Sequence, residues 1–117
     1  MDKRQFLIIA VLAGVAGMSP PAHADAILSG EYLQGLCADY YRPANTAACR
    51  GYVKGVADVL AKGEVVGGYK ACMIETANDD RLVEIVTGYL DRAGERKGDP
   101  ATLLVAKALA ESYPCEK

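Results

Sequence analysis

Four stretches beyond residue 28 carry apolar residues at a helical period, with polar or turn-forming residues between them. The first is predicted from about Ser29 to Tyr41, with Leu33, Leu36, Cys37 and Tyr40 at the i, i+3, i+4, i+7 spacing of one face. Pro43 ends it, because the residue before a proline is pushed out of the helical region. The second opens at Asn45 or Thr46, both good N-caps, carries Cys49, Tyr52, Val53, Val56 and Leu60 along one stripe, and stops at Gly63. Glu64 to Ala77 has no helical period, holds the Gly67-Gly68 pair and reads as an irregular connection. A third helix takes Asn78 as its cap, with Asp79 and Asp80 placed where carboxylates meet the positive end of the helix dipole. Leu82, Ile85, Val86 and Tyr89 form its buried stripe.

Ala93 to Gly98 is a charged turn, and Asp99-Pro100 supplies an N-cap followed by proline at the first helical position. The fourth helix then runs to about Tyr113. Leu103, Leu104, Val105, Leu109 and several alanines make it apolar nearly all round, relieved only by Lys107 and Glu111, as expected of the most buried element. The fold class expected is all-α, a small four-helix domain.

The N-terminus has a different pattern. Met1-Asp2-Lys3-Arg4 is a short basic start, Phe6 to Met18 is an apolar run, and Ala22-His23-Ala24 is a small-x-small cleavage site. The run is shorter than the roughly 20 apolar residues that span a bilayer. The expected organisation is a cleaved export signal over residues 1–24 and one helical domain over 25–117. No cysteine at the cleavage point offers a lipid anchor, so the expectation is a periplasmic or extracellular protein without membrane insertion.

Cleavage would remove His23, the only histidine, and leave all seven tyrosines. A chain without histidine has no Ser-His or Cys-His nucleophilic pair, no histidine-ligated zinc or haem, and no side chain that ordinarily changes charge near neutral pH. Without Asp2, Lys3 and Arg4 the balance is eleven basic against fourteen acidic residues. That mild acidity argues against nucleic acid. Carboxylates at Asp58, Glu64, Glu75, Asp79, Asp80 and Asp91 are the best candidates for acid-base chemistry, and each fits an ordinary solvated or capping position. No catalytic residue, metal or cofactor is expected.

Cys37, Cys49, Cys72 and Cys115 make an even set without any Cys-x-x-Cys pair, which favours two disulfides over a zinc site. Consecutive helices with short connections pack antiparallel, so the end of the first lies beside the start of the second. That geometry favours Cys37–Cys49 with Cys72–Cys115 over the two other connectivities. Gly51 and Gly55 form a small-xxx-small pair on the second helix, read as a site of close helix packing within the chain, with a subunit contact as the rival.

In order along the chain stand Cys37, then Cys49-Arg50-Gly51-Tyr52-Val53-Lys54-Gly55-Val56-Ala57-Asp58, then Cys72, a Tyr89-Leu90 helix, and a final helix closing on Tyr113-Pro114-Cys115. This sequence resembles the Rap/Tai family of type VI secretion amidase immunity proteins over nearly all of the mature chain. The resemblance implies an exported, helical, homodimeric protein that binds a cell-wall amidase effector and covers its active site without chemistry of its own. The chain departs from the family at Met73-Ile74, where an Ile-Pro pair is usual, and at Ala93-Gly94, where a His-Pro or similar turn is usual. A periplasmic chaperone or stress-binding module of the same size class is the alternative. For partner binding the preferred residues are Val65, Val66, Tyr69 and Lys70, as exposed anchors on a Gly67-Gly68 loop. The charged turn Glu95, Arg96, Lys97 is the rival site.

Overall fold

The structure is a computed structural model, and it describes residues 27–73 and 77–116. Helix α1 spans Gly30–Ala38, α2 Pro43–Ala61, α3 Asp79–Arg92 and α4 Ala101–Ser112, with a 3-10 turn at Gly94–Gly98. Each α-helix contacts the other three. The described residues form no strand, only isolated bridges at Ser29–Pro100 and Val66–Tyr69. The predicted all-α, four-helix domain is therefore the fold found. The predicted export signal lies outside the described residues.

Two of the helix starts carry side-chain caps, that at Asn78 as expected. The Ser29 side chain accepts from the Tyr32 amide at 3.1 Å, and Asn78 Oδ1 accepts from the Arg81 amide at 2.8 Å. Other boundaries move. Helix α1 ends at Ala38 rather than Tyr41, where the Asp39 amide turns back onto the Leu36 carbonyl. Helix α2 begins at Pro43, ahead of Asn45 and Thr46. Proline loses nothing at that position, since the first amides of a helix have no intrahelical partner. Helix α4 begins at Ala101, with Pro100 rather than Asp99 as the capping residue.

Leu33, Val53, Leu60, Val86, Leu90, Leu104, Val105 and Leu109 are almost wholly withdrawn from solvent, and α4 also buries Ala101, Ala106 and Ala108. Each such large side chain contributes about 1.5–3 kcal/mol relative to exposure. On α3 the buried stripe is Leu82, Val86 and Leu90, with Ile85 and Tyr89 half-buried at its edge. Tyr40 is not in the core. The early end of α1 leaves it 82% exposed.

Disulfides join Cys37 to Cys49 and Cys72 to Cys115, with Cα atoms 5.0 and 4.9 Å apart. The first is buried between α1 and α2. The second fastens the connection after α2 to the tail of α4, where the Cys72 amide also donates to the Tyr113 carbonyl at 2.8 Å. Loop-closure entropy assigns them about 3 and 4 kcal/mol.

Near its start the domain is closed by a backbone clasp. The Gly30 amide donates to the Asp99 carbonyl at 2.9 Å and the Ala101 amide to the Leu28 carbonyl at 2.7 Å. Gly30 sits so close to α4 and α3 that a β-carbon there would collide with Leu104 and stand 3.0 Å from the Lys97 carbonyl. The close packing expected at Gly51 and Gly55 does not occur: both are exposed, and nothing lies within 4 Å of a β-carbon at either. They face outward because Cys49, Val53, Val56, Ala57 and Leu60 already supply the buried side of α2.

Gly30→Ala should accordingly lower stability by about 1–3 kcal/mol through overpacking. Gly51→Ala and Gly55→Ala should each raise it by about 0.5–1 kcal/mol through helix propensity. Urea unfolding midpoints of the three variants check both signs at once.

Candidate functional site

The structure divides the residues expected to bind a partner. Val66 and Tyr69 pair with each other, each amide donating to the other's carbonyl at 2.9 Å. Gly67 and Gly68 take φ of +58° and +86°, the double left-handed step of a tight hairpin turn. The turn lies down on α4: a β-carbon at Gly67 would stand 2.7 Å from Leu103 Cδ1. Val66 and Tyr69 are half-buried against the core, so they cover its edge and are not the exposed anchors expected. Val65, at 61% exposed, and Lys70 remain on the surface. In the charged turn, Glu95 and Arg96 are exposed and Lys97 is half-buried.

The most exposed aromatic residues among the described ones lie elsewhere, at Tyr40 (82%) and Tyr41 (96%). They occupy the turn between α1 and α2, within the twelve-residue separation closed by Cys37–Cys49. The turn is braced on both sides. Asp39 Oδ2 accepts from Asn45 Nδ2 at 3.0 Å and pairs with Arg42 at 3.6 Å, and the Arg42 amide donates to the Asp39 carbonyl at 3.3 Å. Placing both tyrosines inside a helix hid them in the sequence. The readable signal was Pro43 as a helix start, which makes the residues before it a turn.

Tyr40 also lines an open groove of about 270 Å³ between α1 and α3, with Cys37, Ala38 and Val83 among its apolar walls. Asp80, Val83, Glu84, Thr87 and Asp91 form its α3 side at helical spacing. Arg50 reaches across from α2 to Asp80 at 2.6 Å. Gln34 Nε2 on α1 donates to Asp91 Oδ1 at 2.8 Å. The groove is smaller than the usual small-molecule pocket of about 300–1,000 Å³ and suits contact with a protein segment.

Of the candidate carboxylates, Asp80 and Asp91 share this groove, Asp58 pairs with Lys54 at 3.2 Å, and Asp79 stands 4.0 Å from Lys54. Glu64 is exposed on its own and Glu75 lies outside the described residues. Among the described residues no group of three or more potential ligands could hold a metal, and no ionisable side chain is buried.

The family model for Rap1a immunity proteins matches residues 29–115, from the cap of α1 to the last cysteine. No curated protein and no solved structure matches the chain.

Two groups have shifted acidities. Partial burial raises the Tyr52 phenol above its ordinary value, offset in part by hydrogen bonding with Thr102. The hydrogen bond and charge of Asp58, with Asp79 adding to them, raise the Lys54 ammonium. In both cases the folded state holds its proton more tightly than the unfolded chain. Their contributions are fully present at neutral pH and are lost as pH rises through the folded values, above about pH 10. Thermal midpoints should be level from about pH 6 to 9 and fall beyond, with the fall reduced in Tyr52→Phe.

Proposed function

We propose that this chain, which belongs to the Rap1a immunity protein family, acts in the bacterial periplasm, where it binds a peptidoglycan amidase delivered by type VI secretion and occludes its active site. The observation that carries the reading is the extent of the match. It takes in all four helices and all four cysteines, so the whole bundle is the family's domain. As an immunity protein the chain binds an effector protein. The amidase as target, the export signal over residues 1–24 and the homodimer are parts of the proposal.

Chemistry and compartment support it. Disulfides form and persist in an oxidising environment, which the periplasm provides and the cytosol does not. Residues 25–117 contain no histidine, and the described carboxylates are solvated, paired or capping. Inhibition by surface contact needs none of them to ionise abnormally. An acid-triggered chaperone, by contrast, would have to open by protonating carboxylates alone, and pairs such as Asp58–Lys54 and Asp80–Arg50 are exposed and contribute little to stability.

A neighbouring gene should encode a secreted amidase with a Cys-His pair; a catalytically inactive form of it should bind the purified mature chain with nanomolar affinity, and the active enzyme should lose its peptidoglycan cleavage on complex formation. Isothermal titration and a cell-wall turbidity assay measure the two. Cleavage that continues at saturating chain, or no complex at micromolar concentrations, overturns the reading. Light scattering at the same concentrations should give a dimeric mass; a monomeric mass removes only that part.

A further inference from the structure

The geometry points to the groove between α1 and α3, together with the Tyr40–Tyr41 turn at its end, as the docking surface for an extended basic segment of the protein partner. The inference rests on the reading of the chain as an effector-binding immunity protein, and adds where the partner sits and what charge it brings.

The turn has the properties of an interface anchor. Tyrosine is among the residues that dominate binding energies, and two neighbouring tyrosines at 82% and 96% exposure bury little within the chain. They are also held in place. Cys37–Cys49 closes the loop that carries them, and the contacts of Asp39 with Asn45 and Arg42 fix its path. A turn fixed before association loses little conformational entropy on binding.

The groove sets the charge of the occupant. Its α3 wall carries Asp80, Glu84 and Asp91. Arg50 neutralises Asp80 at 2.6 Å, and Arg81 lies 3.0 Å from Glu84. Among the described residues no lysine or arginine comes within ion-pair distance of Asp91, whose Oδ1 is held by the neutral amide of Gln34. That hydrogen bond orients the carboxylate and leaves Oδ2 to accept from an incoming cation. The acidic balance of the whole chain adds long-range attraction for a basic partner.

Length is consistent with a peptide segment. From Asp80 to Asp91 the rise along α3 is about 16 Å. About five extended residues cover that distance. A lysine or arginine at one end meets Asp91 while the other end packs on Tyr40 and Tyr41.

The test uses the catalytically inactive amidase and the full mature chain. Tyr40→Ala/Tyr41→Ala should weaken binding about tenfold or more. Asp91→Asn keeps the acceptor for Gln34 and removes only the charge. It should weaken binding about fivefold at low salt, with the difference shrinking as salt rises. All three positions are exposed, and far-ultraviolet circular dichroism checks that each variant is folded; Asp91→Asn alone suffices should the tyrosine pair fail. Val65→Asp on the other loop should bind as the wild type does. If the wild type binds and both groove variants stay within about twofold of it, the inference is overturned while the immunity reading stands. A loss confined to Val65→Asp has the same consequence and moves the site to that turn. If the wild type forms no complex, the reading falls, and the inference falls with it.

Discussion

Burying α4 is the constraint on which the rest of the fold depends. A helix that buries Leu104, Val105 and Leu109 together with Ala101, Ala106 and Ala108 leaves only a narrow strip, with Thr102, Glu111 and Ser112 exposed, for water, so most of its circumference must be covered. Three helices suffice because its alanines let them approach closely, and each of the three touches it. Both of its ends are tied down. The clasp through Leu28 and Gly30 holds the N-terminal end, and Cys115 with the Tyr113 carbonyl holds the C-terminal end against Cys72. Even the irregular connection after α2 serves this purpose, since its hairpin turn lies across Leu103.

This requirement decides where binding surface is left over. Val66 and Tyr69 are drawn into covering α4 and its neighbours, so the loop that looked like a protruding probe is part of the lid of the core. The α1–α2 turn has no such duty. It lies beyond the last buried residues of α1, and the disulfide beneath it, not apolar packing, fixes its position. Stability and recognition are thereby separated in space: substitution at Tyr40 or Tyr41 removes little from the core, whereas substitution at Tyr69 removes core contact.

The fold was legible because its signals are local and agree with one another. Asn78 is a cap in the sequence and in the structure, and the apolar periods of α2, α3 and α4 mark the faces they bury. The pairing Cys37–Cys49 and Cys72–Cys115 follows from antiparallel neighbours, and the structure contains it. What the periodicity could not give was the end of α1. Tyr40 continues the i+7 register after Leu33, so the helical period alone places it in the core; only the turn from Asp39 to Pro43 takes it out. Gly30 was equally hidden, since a glycine at the start of a helix has no sequence mark that separates close packing from chance. Gly51 and Gly55 show the converse. Their spacing suggests contact, but the helix had already committed its opposite side to the core.

The same reasoning explains why the candidate site resists reading from sequence. Asp80 was placed as a dipole-stabilising residue at the start of α3, and it is that, but it also faces Arg50 on α2. Asp91 reads as an ordinary solvated charge near the end of the same helix, eleven residues on. Only the antiparallel packing of α1 against α3 sets Gln34 beside Asp91 and leaves the Tyr40 turn at the far end of one groove. The property that matters, an oriented carboxylate without a cation among the described residues and in line with rigid exposed aromatics, belongs to three segments at once. Each segment is unremarkable by composition, and their function as a surface exists because α4 forces the helices that carry them together.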